Sequence, residues 1–247
     1  MPAPEHFTHA GATLVAERRG VGQPVYVLVH GIGMGRTVFA DLSEHLTERV
    51  DDGEVIAIDL PGYGEAPEPP RTLTIERNAD LVAAYLRERV GSPVVVIGHS
   101  MGAQIALEVA ARHPEVADRI VLVGPTVDPE ARTAIRQLWR LLRDIAVEHP
   151  RVIALGAREY VRAGPHLRAK FRAMLVHRPE DVFAKVGVPA LVLRGENDLV
   201  APRAWCREVA AALPRGRLAE VPGHGHETMI RDAAAAARLI REFVRES

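Results

Sequence analysis

The segment that most constrains this chain spans residues 93–113, where a short apolar stretch passes directly into a helix. Residues 94–97 read Val-Val-Val-Ile, and a wholly apolar, β-branched run of this length is typical of a strand buried on both faces of a parallel sheet. From Met101 to Ala111 most residues favour a helix, and Pro114 follows the end of that helix. The segment therefore predicts a buried strand, a tight turn and a helix.

The turn carries the pattern G-x-S-x-G, because residues 98–102 read Gly-His-Ser-Met-Gly. A strand that reverses directly into a helix brings backbone against backbone, so side chains at the two glycine positions would collide. Ser100 is then held at the tip of a strained turn with its hydroxyl exposed. The five letters alone also fit an ordinary small-residue turn with a capping serine. The strand before and the helix after them favour a nucleophile.

Strand-like and helix-like segments alternate along the rest of the chain. Apolar runs of strand length lie at 25–29, 54–58, 119–123, 189–194 and 217–221, and residues 13–19 alternate loosely. Helical patterns lie at 36–48, 73–89, 202–213 and 228–244. Such alternation is typical of parallel strands covered by helices on both faces. The predicted fold class is therefore α/β, with a mostly parallel, doubly wound sheet.

Residues 125–187 break the alternation, because they read as the three helices 129–148, 151–163 and 165–176 with no convincing strand. An insertion between two core strands lies at the carboxyl ends of the strands, on the same edge of the sheet as Ser100. We therefore predict a helical cap, or lid, at 125–187, and an α/β core formed by residues 1–124 and 188–247.

The predicted cap is basic, with ten arginines and two lysines against seven acidic residues. These arginines either line solvated helix faces, or one or two of them, such as Arg158 or Arg162, point inward and favour an anionic substrate. The apolar side chains of the cap either accept a hydrophobic group of the substrate or only hold the cap together. They are Trp139, Leu142, Ile145, Leu155, Phe171, Met174 and Leu175.

Charge and composition narrow the choice of partners. A formal net charge of -1 gives no general attraction to nucleic acid or to an anionic membrane. No run approaches the ~20 apolar residues of a membrane span, and the first residues do not read as a signal peptide. The single cysteine, Cys206, reads as helix packing and fits a reducing compartment. We expect a cytoplasmic monomer or homodimer that acts on a small molecule.

A glycine-rich loop follows the strand at 25–29, since residues 30–35 read His-Gly-Ile-Gly-Met-Gly. The loop lacks the Lys-Ser/Thr pair of a P-loop and the G-x-G-x-x-G spacing of a dinucleotide site. We interpret it as a loop whose backbone N–H groups face a pocket. Residues 59–64, Asp-Leu-Pro-Gly-Tyr-Gly, have the chemistry of a turn, and Asp59 is expected to accept local backbone hydrogen bonds.

A serine hydroxyl needs a nearby base to become a nucleophile at neutral pH. Histidine suits this role, and a carboxylate on its other nitrogen fixes its tautomer and stabilises the imidazolium. Ser100 is followed in the chain by Asp198 and then by His224 and His226. Each lies just beyond the carboxyl end of a predicted strand, so the fold would bring them to one rim of the sheet. The order Ser, Asp, His is the one found in α/β-hydrolases.

These motifs together resemble the α/β-hydrolase fold family, in its group of small capped serine esterases, lactonases and C–C hydrolases. The resemblance spans nearly the whole chain. It rests on His-Gly at 30–31, the turn at 59–64, the elbow at 98–102, the acid motif at 195–202 and Pro-Gly-His-Gly-His at 222–226.

The resemblance implies a role for each matching residue. It makes Ser100 the nucleophile, Asp198 the orienting acid and His226 the base, with Glu196 and His224 as their local rivals. It places the two oxyanion-hole N–H groups on Ile32 and Met101. His30 is expected to hold the glycine loop, and Gln104 to be buried and hydrogen-bonded. His224 and His226 could also be read as a metal pair, but no carboxylate or cysteine stands at ligand spacing, so we expect no metal and no cofactor.

Serine at the elbow argues against haloalkane dehalogenase and epoxide hydrolase chemistry, which in this family requires aspartate there. The leading hypothesis is hydrolysis of a carboxylic ester or lactone of a largely hydrophobic small molecule through an acyl-serine. One alternative is hydrolysis of a C–C bond in a diketone-like acid by the same triad. Another is a ligand receptor that keeps the fold without turnover.

Overall fold

An eight-stranded sheet forms the centre of the protein in a computed structural model, which describes residues 3–48, 53–129, 166–230 and 232–246. The strands are β1 (Glu5–His9), β2 (Ala12–Val21), β3 (Val25–Val29), β4 (Gly53–Asp59), β5 (Val94–His99), β6 (Ala117–Val123), β7 (Ala190–Gly195) and β8 (Gly216–Val221). Their order in the sheet is β1-β2-β4-β3-β5-β6-β7-β8.

Strands β3 to β8 pair in parallel, whereas β1 and β2 run antiparallel at one end of the sheet. This confirms the predicted mostly parallel α/β sheet. Strand β1 was not predicted, because only Phe7 of its five residues is buried and the strand has no alternating apolar pattern.

Six described helices flank the sheet: α1 (Ala40–Leu46), α2 (Ile75–Tyr85), α3 (Met101–Arg112), α4 (Leu167–Val176), α5 (Arg203–Ala212) and α6 (Ala234–Glu246). Residues of α2, α3, α4 and α5 pack in the apolar core on one face of the sheet, and residues of α1 and α6 pack in the core on the other. The sheet is therefore covered on both faces, as predicted. Cys206 lies fully buried in the first of these cores, on α5.

Two predicted helix boundaries were wrong. The helix predicted at 36–48 begins with a 3₁₀ turn, Arg36–Phe39, before α1. The last helix was expected to begin at Thr228 but begins at Ala234, and residues 226–230 form turns. The Ala233 N–H at the start of α6 donates to Asp41 Oδ2 at 2.7 Å. This capping carboxylate comes from a distant part of the chain, so the local sequence does not reveal it.

The insertion between β6 and β7 is described at residues 124–129 and 166–189. There α4 packs on the core, with Met174 buried and Phe171 and Leu175 against the same apolar cluster. These three side chains thus hold α4 on the core. The helices predicted at 129–148 and 151–163 lie outside the described residues, as do Trp139, Leu142, Ile145, Leu155, Arg158 and Arg162. The division into core and cap stays a prediction.

No helix in the described ranges is both long enough and apolar enough to span a membrane.

Candidate active site

Ser100 stands between β5 and α3, at the carboxyl end of the sheet. Its backbone has φ 54° and ψ -112°, outside the regions that non-glycine residues ordinarily occupy. Backbone strain of this kind costs ~1–3 kcal/mol and persists where the surrounding structure enforces it, often at functional sites. The Ser100 N–H donates to the Val123 carbonyl of β6 at 2.8 Å, which ties the turn to the neighbouring strand. The residue is buried, with 7% of its surface exposed.

The two glycines of the elbow leave no room for a side chain. A Cβ atom on Gly98 would lie 2.1 Å from the Gly102 carbonyl oxygen, and one on Gly102 would lie 2.1 Å from the Val29 carbonyl oxygen of β3. Both clashes are with backbone, which cannot rotate away as a flexible side chain can. The geometry confirms the steric role predicted for these two positions.

Asp198 and His226 form a buried pair. Asp198 Oδ2 lies 2.9 Å from His226 Nδ1, and the two residues are 2% and 3% exposed. Asp198 Oδ1 accepts the backbone N–H groups of Val200 and Ala201, both at 2.8 Å. Both carboxylate oxygens are therefore occupied, which fixes the orientation of the carboxylate toward the imidazole.

Burial opposes ionisation of the Asp198 carboxyl, but other groups outweigh it. The neighbouring His226 ring, its hydrogen bond, a backbone N–H bond and the charge of Arg194 hold the pKa of Asp198 below its ordinary value. Asp198 is thus a carboxylate at neutral pH and accepts the Nδ1–H proton of His226. This leaves the second ring nitrogen as the basic one in the neutral imidazole.

Arg194 supports the acid loop, residues 196–202, which carries Asp198. It lies at the end of β7, is 3% exposed, and donates to the carbonyls of Glu196, Asp198 and Ala201 at 3.2, 2.9 and 3.1 Å. Its guanidinium also pairs with Glu220 of β8 at 2.5 Å. The sequence analysis did not consider Arg194. The available signal was a single cation at the end of an otherwise apolar strand.

His99 connects the Asp198–His226 pair to the nucleophile elbow at residues 98–102. Its Nε2–H donates to the His226 carbonyl at 3.1 Å, and the two ring centroids lie 4.8 Å apart. Burial first, and then the charge of the His226 ring, lowers the pKa of His99 to about 3, so His99 is neutral. Because His99 directly precedes Ser100 in the chain, this contact brings the His226 ring to the nucleophile elbow.

Gly124 provides the space into which the pair packs. A Cβ atom there would lie 2.7 Å from His226 Cε1 and 3.2 Å from Asp198 Oδ2, and the glycine has φ 53°. It directly follows β6, the strand that also binds the Ser100 backbone. Ser100, Asp198 and His226 therefore gather at the carboxyl ends of β5, β6, β7 and β8.

The two local rivals, Glu196 and His224, contribute to contacts between neighbouring loops. Glu196 is exposed, and its Oε2 accepts the Gly223 N–H at 2.9 Å. His224 is half-buried, and its carbonyl accepts the Asn197 N–H at 2.8 Å. Both bonds connect the acid loop to the loop that carries His226. The structure places Asp198, rather than Glu196, against His226.

The glycine loop lies beside the elbow. A Cβ atom on Gly31 would lie 3.2 Å from Ser100 Cβ. His30 accepts the Leu60 N–H on Nε2 at 3.1 Å and therefore carries its proton on Nδ1, which donates to the Gly31 carbonyl at 2.7 Å. Burial lowers the pKa of His30, consistent with this neutral form. The predicted structural role of His30 is confirmed.

The candidate oxyanion-hole residues flank Ser100. Ile32 is half-buried in the glycine loop, directly after Gly31, and Met101 is buried at the first position of α3. A helix N-terminus presents backbone N–H groups and a partial positive charge, which suits a developing oxyanion. The use of these two N–H groups for that purpose remains a prediction.

Asp59 organises the loops that border the site. It is fully buried, accepts the N–H groups of Arg36 and Glu65 at 2.5 and 2.9 Å, and pairs with the Arg36 guanidinium. The predicted backbone hydrogen bonds are thus observed. The sequence analysis did not identify Arg36, which joins the end of the glycine loop to the turn at 59–64.

The side chain of Lys170 of α4 points inward, and a neighbouring carboxylate balances its charge there. Its Nζ donates to the Gly62 carbonyl at 2.6 Å and to Glu68 Oε2 at 2.9 Å, and lies 4.4 Å from the Tyr63 ring centroid. The Tyr63 hydroxyl in turn lies 3.9 Å from the Met101 sulfur. This cation therefore anchors α4 to the turn beside the elbow, and its charge is already balanced by Glu68.

Comparisons with known proteins agree with this fold. A model of the alpha/beta hydrolase family matches residues 26–239, and the chain therefore belongs to that family. It is 29% identical to the pimeloyl-[acyl-carrier protein] methyl ester esterase of Chromobacterium violaceum, over 94% of this chain and 98% of that protein.

Solved structures share the same architecture. An esterase from Thermogutta terrifontis superposes with a TM-score of 0.83 at 23% identity, covering 99% of both chains. An N-acyl homoserine lactone degrading enzyme gives a TM-score of 0.82 at 21% identity, covering 97% of this chain and all of that chain, 100%. This protein is thus a hydrolase-family member on the alpha/beta hydrolase fold.

Proposed function

We propose that this protein hydrolyses carboxylic esters, including lactones, of largely hydrophobic small molecules through an acyl-serine intermediate. The observation that carries the proposal is the buried hydrogen bond between Asp198 and His226, held beside a strained elbow that presents Ser100. A serine, an imidazole and a carboxylate in this chain order are the groups that acyl transfer requires.

In the first half of the proposed reaction, His226 removes the Ser100 hydroxyl proton as the oxygen attacks the ester carbonyl. Asp198 holds Nδ1–H and stabilises the imidazolium that forms. The Ile32 and Met101 N–H groups stabilise the negative oxygen of the tetrahedral intermediate. The intermediate collapses, His226 protonates the departing alcohol, and the acyl group stays on Ser100.

In the second half, His226 takes a proton from water as the water attacks the acyl-serine. A second tetrahedral intermediate forms and collapses, and the proton returns from His226 to the Ser100 oxygen. The products are a carboxylic acid and the regenerated hydroxyl. No cofactor enters this proposed cycle.

We prefer ester cleavage to the other proposed reactions because a relative that aligns over most of the chain is named an esterase. The Chromobacterium violaceum protein is named a methyl ester esterase and aligns over nearly all of this chain. A lactone is a cyclic ester, so the same steps open it. We further propose that residues 125–187 act as a cap, with α4 as its anchored part and the rest selecting the substrate.

The test uses purified full-length protein, p-nitrophenyl esters of increasing acyl length, methyl esters, lactones and a vinylogous diketo acid. We expect ester hydrolysis and covalent labelling by a fluorophosphonate probe, both abolished by Ser100→Ala. Ser92→Ala is the matched control, because Ser92 lies in the loop that enters the opposite end of β5. A Ser100→Ala variant as active as the parent would overturn the mechanism, and absent turnover with tight ligand binding would favour a receptor.

The acid is tested in the same assay. Asp198→Asn should lower kcat by ~10⁴, because the amide holds the wrong imidazole tautomer. The exposed Glu196→Gln should leave kcat unchanged. The reverse outcome would make Glu196 the acid.

A further inference from the structure

A second cluster of ionisable side chains lies where three helices meet. Glu76 is in the first turn of α2, Glu108 is in α3, and His177 directly follows α4. One nitrogen or oxygen atom from each lies within 4.8 Å of the others. Glu108 and His177 are buried, and Glu76 is half-buried. None of the three takes part in the proposed ester hydrolysis.

The protein alone satisfies only one side of the His177 ring. Nε2 lies 2.8 Å from Glu108 Oε1, whereas Nδ1 is buried and has no hydrogen-bond partner in the described part of the chain. Buried polar atoms are nearly always partnered, and an unpartnered one costs ~1–3 kcal/mol. Nε2, the ring nitrogen that faces Glu108, is the one that a cation shared with that carboxylate would bind, in place of the present hydrogen bond.

Glu76 and Glu108 each place a carboxylate oxygen within 4.8 Å of a ring nitrogen of His177. Two carboxylates therefore approach one imidazole.

The two nearby arginines balance this pair of glutamates only in part, because each also pairs with other carboxylates. Arg112 lies 3.9 Å from Glu108, but it makes a bidentate pair with Asp80 at 2.9 and 3.0 Å. Arg178 pairs with Glu180 at 3.3 Å and with Asp181 at 3.6 Å. Negative charge is thus in excess at the cluster, which favours a bound cation.

A cavity of about 360 Å³ opens onto the cluster. Its lining includes Glu76, Glu108 and His177, together with Thr74 and Asp181. This volume holds several water molecules, which can fill the coordination positions of an ion that the protein does not.

We propose that Glu76, Glu108 and His177 bind a divalent transition-metal cation, with Zn²⁺ as the best match. An imidazole nitrogen with two carboxylate oxygens is a ligand set that suits Zn²⁺, whereas Mg²⁺ and Ca²⁺ prefer sites made only of oxygen. Tetrahedral ligands ~2.0–2.1 Å from zinc lie about 3.3 Å apart, so ligand atoms within 4.8 Å of one another would have to move closer to hold one ion.

The cation would act as a structural link. It would join α4 to the core helices α2 and α3, and Glu108 lies about two helical turns beyond Ser100. Bound metal should therefore raise the unfolding temperature of the protein. The proposal does not depend on the proposed esterase activity, and Ser100→Ala should bind metal like the parent.

The experiment titrates full-length protein, stripped with EDTA, with Zn²⁺ in a calorimeter and with Co²⁺ in an absorption spectrometer. We expect a single saturable ion per chain, a tetrahedral Co²⁺ spectrum and a higher unfolding midpoint with metal. Glu76→Gln and His177→Gln should each weaken binding at least ~10-fold. His113→Gln is the matched control, because it removes a neighbouring imidazole that bonds Asp80.

Circular dichroism of every variant in EDTA confirms the fold. Glu76 is half-buried in the first turn of a helix, so Glu76→Gln is expected to fold even if His177→Gln does not. In that case the metal affinity of Glu76→Gln alone tests the proposal. The absence of saturable Zn²⁺ or Co²⁺ binding by the parent would overturn the proposal and leave a plain His177–Glu108 ion pair. Unchanged binding by folded Glu76→Gln would overturn it equally.

Discussion

The two sides of the candidate active site are built in opposite ways. On the elbow side, Ser100 is positioned by missing side chains, because Gly98 and Gly102 let backbone pack directly on backbone. On the acid–base side, Asp198 and His226 are positioned by hydrogen bonds, because both carboxylate oxygens of Asp198 accept one from the His226 ring or from a backbone N–H group. Steric exclusion fixes one side, and charge and hydrogen bonds fix the other.

The difference predicts how each side responds to change. Backbone contacts do not depend on pH and leave no room for an added atom. A substitution at the elbow glycines should therefore lower the free energy of unfolding. Hydrogen-bonded charges can be weakened in steps, so the acid–base side should lose activity gradually while the fold persists. Three substitutions test this contrast.

The largest effect is expected at the elbow. Gly102→Ala places a Cβ atom 2.1 Å from the Val29 carbonyl oxygen, so β3 and α3 must separate. We expect a loss of ~3 kcal/mol or more in the free energy of unfolding, measured by urea denaturation. Gly187→Ala is the control, because no atom lies within 4 Å of the added Cβ, and it should change stability by less than ~0.5 kcal/mol. Equal stabilities of the two variants would contradict the steric account.

An intermediate effect is expected from Arg194→Met. Methionine fills the buried space but removes the donors that hold the Glu196, Asp198 and Ala201 carbonyls. We expect kcat for an ester to fall by ~10–100-fold, as for other supporting residues that orient a functional group, while KM changes little. The pH profile of kcat should also shift, because the charge of Arg194 helps to keep Asp198 ionised.

Arg203→Met is the matched control for Arg194. Arg203 is exposed and pairs with the same Glu220, at 2.8 Å, without contacting the acid loop. Its replacement should leave kcat unchanged. If both variants lost the same activity, the ion pair with Glu220, rather than the support of the loop, would be the important contact.

The smallest effect at neutral pH is expected from His99→Gln, because glutamine can still donate to the His226 carbonyl. The stabilities of the variant and the parent should differ at acid pH. The pKa of His99 is lowered to about 3 in the folded protein, whereas the unfolded residue titrates near ~6.5. Unfolding therefore takes up a proton below pH ~6.5, and stability falls as the pH drops from ~6.5 toward 3.

His99→Gln should flatten this part of the stability curve, measured by urea denaturation across the acid range. The exposed His6→Gln controls for the loss of an imidazole. A His99→Gln curve that runs parallel to that of the parent would show that burial of His99 does not contribute to acid sensitivity.

The fold and the elbow could be predicted because their signals are local. Four adjacent β-branched residues, two glycines and a helix-forming segment define β5, the turn and α3 within about twenty positions. The β-branched runs in the other central strands work in the same way. Strand β1 escaped prediction because burial of Phe7 alone gives no period to detect.

The supporting residues could not be predicted because they act across the fold. Lys170 and Arg36 are single charges whose partners lie in other elements, and nothing in the neighbouring sequence distinguishes them from surface charges. The same holds for Asp41, which caps α6 from the first turn of α1. Arg194 bonds the carbonyls of a nearby loop, and only its place at the end of an apolar strand marks it in the sequence. The cluster of Glu76, Glu108 and His177 combines residues that lie more than thirty positions apart in the chain.

Helix α4 is fixed to the core at both of its ends. Lys170 near its start binds the turn at 59–64, while Gln104 of α3 donates to the Met174 carbonyl near its end at 3.1 Å, and His177 just beyond it bonds Glu108. Helix α4 cannot pivot about one end while the contacts at its other end hold. Within the proposed cap, α4 is therefore the part that stays fixed to the core.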